Sequence, residues 1–146
     1  ATLDDTEVVE TWDVSAEDGE SNVIATLYAN GKLVISGNGK MKDYEFYFHG
    51  DESIAPYYTK RKEIKALEIE EGITSIGKYA FQDLEKIIDD LTIANSVESI
   101  GWGAFEGCNS LETVTLPSEI STIEGETFRY CGRLKYIKIY VFCLEK

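Results

Sequence analysis

The sequence predicts a β-rich repeat solenoid that follows an N-terminal cap, and three observations lead to this prediction. Three segments repeat the same apolar columns at a spacing of 24 and then 23 residues. A short apolar-polar-apolar segment follows each of them, and a hairpin pattern with many aromatic residues precedes them. Because a single coil of this length cannot bury its own apolar residues, successive coils must stack and share one core.

Residues 1–20 are predicted to form a flexible acidic lead. They contain eight of the 27 acidic residues and no Lys or Arg, which favours solvation over packing. The whole chain has a formal net charge of -13 at pH 7. This balance argues against nucleic acid as a partner, because neutralising phosphates requires a basic face.

Residues 21–63 are predicted to form the cap. Two β-favouring runs within 22–36 flank Asn30-Gly31, a dipeptide that tolerates the positive φ angles of a tight hairpin turn. The aromatic residues that follow are interpreted as the seal of the first coil, since an open solenoid end would expose its core. The alternative is an aromatic patch that anchors a partner. This group comprises Tyr44, Phe46, Tyr47, Phe48, His49, Tyr57 and Tyr58.

Residues 64–140 are predicted to contain about three repeats of 23–24 residues, with 141–146 as the C-terminal end. Phe81, Phe105 and Phe128 occupy one column. The alternating triplets have the period of a strand with one buried face, so stacking predicts one parallel sheet of four short strands. The I-x-x-I segments predict a second, shorter ladder, and a tight turn or single helical turn joins the two sides. The triplets lie at 67–69, 91–93, 114–116 and 137–139.

The middle repeat, SIGWGAFEGCNSLETVTLP at 99–117, resembles the BspA-type leucine-rich repeats of bacterial and some protist surface proteins. Residues 29–44 and 56–77 resemble the region that often leads into such repeats, so the likeness covers about residues 20–140. The third copy departs from the motif, with Glu124 in place of a glycine and Thr127 in place of an alanine. The resemblance implies a leucine-rich repeat solenoid and an adhesion role, with host matrix or neighbouring cell-surface proteins as ligands.

The three cysteines lie at positions where the repeat requires apolar side chains. Cys108 and Cys131 share a column with Leu84, and Cys143 falls in the column of Ile73. We therefore interpret them as small hydrophobic residues rather than reactive thiols or metal ligands. A disulfide between Cys108 and Cys131 is the less favoured alternative, since stacked coils bring that column close.

We expect no catalytic site, no metal and no cofactor. His49 is the only histidine, and a catalytic triad would have to recruit it from the cap. Neither a zinc spacing of Cys and His nor a phosphate-binding loop is present in the sequence. No stretch reaches the roughly 18–20 apolar residues of a membrane helix, so membrane insertion is not expected. The sequence starts without a basic-then-apolar leader, so we expect no attached signal peptide.

The candidate binding residues lie on the predicted surface. The outward positions of the strands form columns, and extended sheet faces are what solenoids generally use for binding. Trp102 is expected on the turn side, where packing over Gly125 of the next coil is favoured over a contact with a partner. The outward column is Glu68, Thr92, Thr115 and Lys138, with Tyr136 and Tyr140 as anchors on the last coil.

These observations favour a non-catalytic, secreted or cell-surface module that recognises a protein ligand. Two rival hypotheses stay open: a structural spacer or part of a longer repeat protein, and an intracellular leucine-rich repeat scaffold. Free thiols would suit the reducing compartment of the latter. A hydrolase is the weakest rival, because no pair of acids stands out. The sequence predicts neither the ligand nor the oligomeric state.

Overall fold

The computed structural model describes residues 7–47, 54–88 and 90–140. They form two sheets built from ten strands, with a short 3-10 helix at Tyr58–Lys60. The strands are β1 (Val8–Asp13), β2 (Asn22–Tyr28), β3 (Lys32–Lys40), β4 (Ala66–Ile69), β5 (Ile73–Ile76), β6 (Leu91–Thr92), β7 (Ser99–Ile100), β8 (Thr113–Pro117), β9 (Thr122–Ile123) and β10 (Tyr136–Tyr140).

The first sheet starts from the predicted hairpin. β2 and β3 pair antiparallel with Ala25 opposite Ile35, so alternate apolar residues of both strands face the core. The turn between them differs in detail from the expected one: only Gly31 has a positive φ, of 87°, and its N–H donates to the Tyr28 carbonyl at 2.9 Å. β5, β7 and β9 then continue the sheet as parallel strands next to β3.

The described part of the acidic N-terminal segment, 7–20, forms structure where a flexible lead was expected. β1 pairs antiparallel with β2, with Thr11 opposite Thr26. The hydrogen bonds of a sheet edge do not require apolar side chains, so acidic composition alone does not prevent pairing. Asp18 accepts hydrogen bonds from the Ser21 hydroxyl and from the backbone N–H groups of Ser21 and Glu20, and these bonds lower its pKa to about 2. Some of the acids therefore shape the loop between β1 and β2.

The second sheet contains three of the four predicted triplets. β6, β8 and β10 pair in parallel, in the order β10-β8-β6. The prediction of one four-stranded sheet is wrong for the first triplet, since β4 forms but pairs with β3, with Leu33 opposite Leu67. β6 is only two residues long and follows 88–90, where the first repeat is one residue longer than the second. In the described parts of the chain this strand pairs with β8 and not with β4.

A stack of aromatic rings runs through the coils. The centroids of Tyr57, Phe81, Phe105 and Phe128 follow one another at 5.9, 5.4 and 5.7 Å. Tyr57 lies 24 residues before Phe81, and its hydroxyl donates to the Ala80 carbonyl at 2.7 Å. The solenoid therefore begins one coil earlier than the Phe column indicates, and β3 in that coil pairs in parallel with both β4 and β5.

The predicted turn between the two sides is a third hydrogen-bonded ladder. The N–H groups of Tyr79, Phe81 and Asp83 donate to carbonyls of the next coil at 3.0, 2.8 and 2.7 Å. The N–H groups of the matching residues Gly103, Phe105 and Gly107 repeat this pattern toward the last coil. The middle coil is thus fixed to the last one along three of its sides, whereas the first coil lacks the strand ladder because, among the described residues, β4 does not pair with β6.

Both departures of the third repeat have a hydrogen-bonding role. The Glu124 carboxylate accepts the Trp102 backbone N–H at 3.0 Å. The buried Thr127 hydroxyl donates to the Glu124 carbonyl at 2.6 Å. Because buried polar groups are costly unless paired, this contact explains how a threonine is tolerated at the alanine position.

Candidate binding surfaces

The outward side chains of β6, β8 and β10 form a continuous row, which we call the strand face: Thr92, Thr115, Tyr136 and Lys138. Thr92 pairs with Thr115, and Thr115 with Lys138, so three of these side chains lie one strand apart. Tyr136 lies at the start of β10 and is 63% exposed. This row is the part of the predicted column that the fold brings together.

Two other predicted residues are not included in this row. Glu68 belongs to β4, and its Oε2 lies 2.9 Å from Lys32 Nζ of β3. Tyr140 ends β10, where its backbone pairs with Pro117, and its side chain is outside the described part of the structure. Thr113 on β8 and Ala94 after β6 are buried and add nothing to the exposed row.

The last coil exposes residues that were expected inside. Ile137 and Ile139 occupy the inward register of β10 but are 49% and 59% exposed. In a solenoid each apolar residue is covered by the coils on both of its sides. The described residues place a coil on only one side of β10, so the inward register does not bury these side chains.

Trp102 lies after β7, on the other sheet, and is therefore not part of the strand face. Its ring packs over Gly125 of the next coil, where an added Cβ would meet it at 2.6 Å. In the same manner the Tyr79 ring lies over Gly103. The structure thus shows the packing that was favoured for Trp102, yet 44% of the residue stays exposed.

The two rings border a cleft, which we call the aromatic cleft, of about 530 Å³. The cap supplies one wall, and Phe46 contacts the Tyr79 ring edge-on at 5.6 Å between centroids. Gln82 holds this wall in place, because its Nε2 donates to the Glu45 carbonyl at 2.9 Å. The lining residues are Tyr44, Glu45, Lys78, Tyr79, Trp102, Glu124 and Gly125.

The repeat columns do not predict the aromatic cleft. Its cap wall is more than 30 residues from Tyr79 in sequence and does not share the repeat register. The one available signal was the large aromatic residue at Trp102, whose column otherwise holds Lys78 and Gly125.

The Tyr79 phenol lies near several negatively charged side chains. Burial raises its pKa, and the carboxylates of Glu106, Glu126 and Glu45 raise it further, against a hydrogen bond with the Trp102 side chain that lowers it. Acids from the cap and from two coils thus converge on this side of the solenoid.

The cysteines that the structure describes are unreactive in their setting. Cys108 and Cys131 are free, and their Sγ atoms each lie 3.2 Å from the Phe carbonyl of the preceding coil. Burial raises the pKa of the Cys131 thiol to about 11 and that of Cys108 well above its ordinary value. The alternative disulfide is not formed, and both residues act as apolar positions of the core. Cys143 lies outside the described residues.

The described ranges provide no cluster of three or more His, Cys, Asp or Glu that could hold a metal ion. They also include no helix long and apolar enough to cross a membrane. His49 and Phe48 fall in a range that the structure leaves undescribed.

Comparison with known proteins gives a family and a fold. The profile described as BspA type Leucine rich repeat region matches residues 52–143 in six copies. A leucine-rich repeat protein from Eubacterium ventriosum ATCC 27560 is similar in structure, with a TM-score of 0.54 and 20% identity over 90% of this chain and 44% of that one. A leucine rich cell surface protein from Faecalibacterium prausnitzii A2-165 gives a TM-score of 0.47 and 19% identity over 83% of this chain and 38% of that one. The chain thus spans less than half the length of either. No curated protein sequence matches the chain.

Proposed function

The chain belongs to the BspA-type leucine-rich repeat family, and from that premise we propose that it is the non-catalytic recognition part of a secreted or cell-surface protein. The family and the fold support a protein-interaction repeat module. The finer proposal is adhesion to a protein ligand, such as a host matrix or neighbouring cell-surface protein. The observation that carries it is the strand face, a row of exposed side chains on stacked coils.

The chemistry of the strand face suits a protein ligand. Strands lie about 4.8 Å apart, so Thr92, Thr115 and Lys138 form a regular row that an extended surface can follow. The threonine hydroxyl groups carry no charge, so removing water from them costs less free energy than removing water from charged side chains. Tyr136 adds a large exposed ring of the type that anchors interfaces. We place Tyr140, at the other end of β10, in the same contact.

The test is a Tyr136→Ala/Tyr140→Ala double variant, assayed against a panel of immobilised extracellular-matrix proteins by surface plasmon resonance. Removing two anchors should weaken binding roughly tenfold or more. Tyr130→Ala is the matched control, because Tyr130 is in the same repeat, is 64% exposed and belongs to the turn segment rather than to β10. Unchanged affinity of the double variant would refute the strand face as the contact. If the unaltered chain binds no protein of the panel, adhesion to matrix proteins is wrong.

A structural role is the second candidate. The exposed Ile137 and Ile139 favour it, because in a solenoid these positions are where a neighbouring coil stacks. As a spacer or part of a longer array, the chain would bind no ligand through the strand face. An uncovered apolar edge should also promote association, so analytical ultracentrifugation should show a mass that rises with concentration. Strict monomers at all concentrations would remove this support.

An intracellular scaffold is a third candidate, which the free thiols of Cys108 and Cys131 favour. Fractionation of cells that express the native gene with an epitope tag separates the cases. Recovery of the tagged protein from the cell surface or medium would exclude the scaffold.

A further inference from the structure

The aromatic cleft presents a large indole surface that the fold leaves half uncovered. Trp102 has one face on Gly125, yet 44% of the residue remains exposed. The Tyr79 ring is fixed beside it by Gly103 and by the edge-on contact with Phe46. Both rings are therefore held rigidly before any partner arrives, which limits the entropy lost on binding.

Carboxylates outnumber cations around these rings. Glu45 of the cap and Glu124 of the last coil both line the cleft, and Lys78 is the single cation among the lining residues. The Glu124 carboxylate is fixed by the Trp102 backbone N–H at 3.0 Å, which keeps it next to the indole. The raised pKa of the Tyr79 phenol reflects burial first, with contributions from neighbouring carboxylates. The chain as a whole carries a formal charge of -13.

We propose that the aromatic cleft binds an arginine side chain from a basic segment of a protein partner. The guanidinium stacks on the exposed indole of Trp102 and pairs with the Glu124 carboxylate beside it. Glu45, in the cap wall of the cleft, attracts the same charge. This inference rests on the proposed function in one respect, that the partner is a protein, but it uses a surface other than the strand face.

Arginine fits this cleft better than lysine does. A guanidinium is planar, stacks on aromatic faces and presents a fork of N–H donors to a carboxylate, whereas an ammonium is a compact and strongly hydrated point charge. An acidic segment would meet Glu45 and Glu124 as like charges, so negatively charged partners are rejected. A basic segment is also steered toward the chain by its overall negative charge.

The experiment follows the indole N–H signals in 1H–15N spectra of the full chain. The chain has two tryptophans, so Trp12 serves as an internal control, and Trp102→Phe assigns the signals. The probe is an acetylated and amidated Gly-Arg-Gly-Arg-Gly-Arg peptide, with Lys and Glu versions of the same length. We expect a saturable shift of the Trp102 signal with the Arg peptide, a weaker one with the Lys peptide and none with the Glu peptide.

Two variants, each of which removes one negative charge, distinguish binding at the aromatic cleft from attraction by the overall negative charge of the chain. Glu124→Gln keeps an acceptor oxygen for the Trp102 N–H but removes the charge, and it should weaken binding of the Arg peptide roughly two- to fivefold. Glu112→Gln makes the same change beside Lys135, at the second sheet, and should have no effect. Equal losses in both variants would show non-specific attraction and overturn the proposal.

Further outcomes also decide it. No saturable Trp102 shift with the Arg peptide up to about 10 mM overturns it, since cation–π contacts and ion pairs of this kind bind detectably in that range. A shift with a neutral oligosaccharide such as cellohexaose, without one from the Arg peptide, would assign the cleft to carbohydrate instead. Because the readout is the Trp102 signal, the Tyr136→Ala/Tyr140→Ala variant should respond like the unaltered chain. Failure at the cleft and failure at the strand face are therefore observed separately.

Discussion

At the scale of single residues, the turn segments place two positions of each coil in the left-handed backbone region. Only the middle repeat uses glycine at both, and the other two coils use larger residues. A residue with a Cβ costs about 1–2 kcal/mol in this conformation, so four positions carry strain that the ladder of hydrogen bonds holds in place. The φ angles are 51°, 63° and 62° at Tyr79, Gly103 and Glu126, and 59°, 81° and 61° at Asp83, Gly107 and Tyr130.

Tyr130→Gly should therefore be neutral or stabilise the protein by up to about 1 kcal/mol. Its ring is exposed, and the contact with Arg129, at 4.6 Å from the guanidinium carbon to the ring centroid, contributes little at the surface. The matched opposite is Gly107→Ala, which adds a Cβ at φ 81° against Asp83 of the preceding coil and should destabilise by about 1–2 kcal/mol. Urea denaturation measures both. A Gly107→Ala variant as stable as Tyr130→Gly would contradict the role of the left-handed positions.

The sequence predicted which positions of the repeat are apolar. It did not predict the hydrogen-bond partners of the polar residues that replace the motif residues in the third repeat. Glu124 and Thr127 are departures from the motif when read along the chain. Each has a partner only because a neighbouring coil or turn brings a backbone group to it. The repeat register indicates which residue types share a column but not which backbone groups lie next to them, so these two roles could not be predicted.

At the scale of elements, the repeat spacing predicted that ladders of parallel strands form. How many strands each ladder contains depends on which strand each one pairs with. The Phe column and the short I-x-x-I ladder are present as expected. β3 was predicted only as half of a hairpin, yet its nine residues pair with both β4 and β5. Because β3 is long enough to pair with β5 and also with β4, β4 joins β3 in the first sheet. No pattern within a repeat indicates that β4 pairs with β3 rather than with β6.

The ring stack should show the dependence on neighbours that a solenoid implies. Phe105 is buried between Phe81 and Phe128, so Phe105→Ala should lower the free energy of unfolding by about 3–5 kcal/mol. Phe128 is only partly buried, and Phe128→Ala should cost about 1–2 kcal/mol because less surface is lost. Chemical denaturation followed by circular dichroism compares the two variants. Equal losses would mean that the last coil is as well packed as the middle one.

At the scale of the whole molecule, burial decreases from the middle coils to the last one. Ile76 and Ile100 are buried, whereas Ile123 in the same column is exposed. The strand-face row was predictable because it follows the repeat register. The aromatic cleft was not, since it forms between the cap and the coils, which are distant in sequence. The repeat register determines neighbours within the solenoid but not what covers either of its ends.

This gradient should appear in amide hydrogen exchange. The N–H of Gly101 donates to the Ile76 carbonyl at 2.9 Å, and the N–H of Glu124 donates to the Ile100 carbonyl at 3.0 Å. The two bonds are equivalent in successive coils, so after correction for intrinsic rates they differ only in what surrounds them. If coils open locally from the exposed end, Glu124 should exchange at least about tenfold faster than Gly101, because less apolar surface must be uncovered to open it. The Ala25 amide in β2 is the reference for a fully covered strand, and it should match Gly101. Equal protection at Gly101 and Glu124 would show instead that all coils unfold as one cooperative unit.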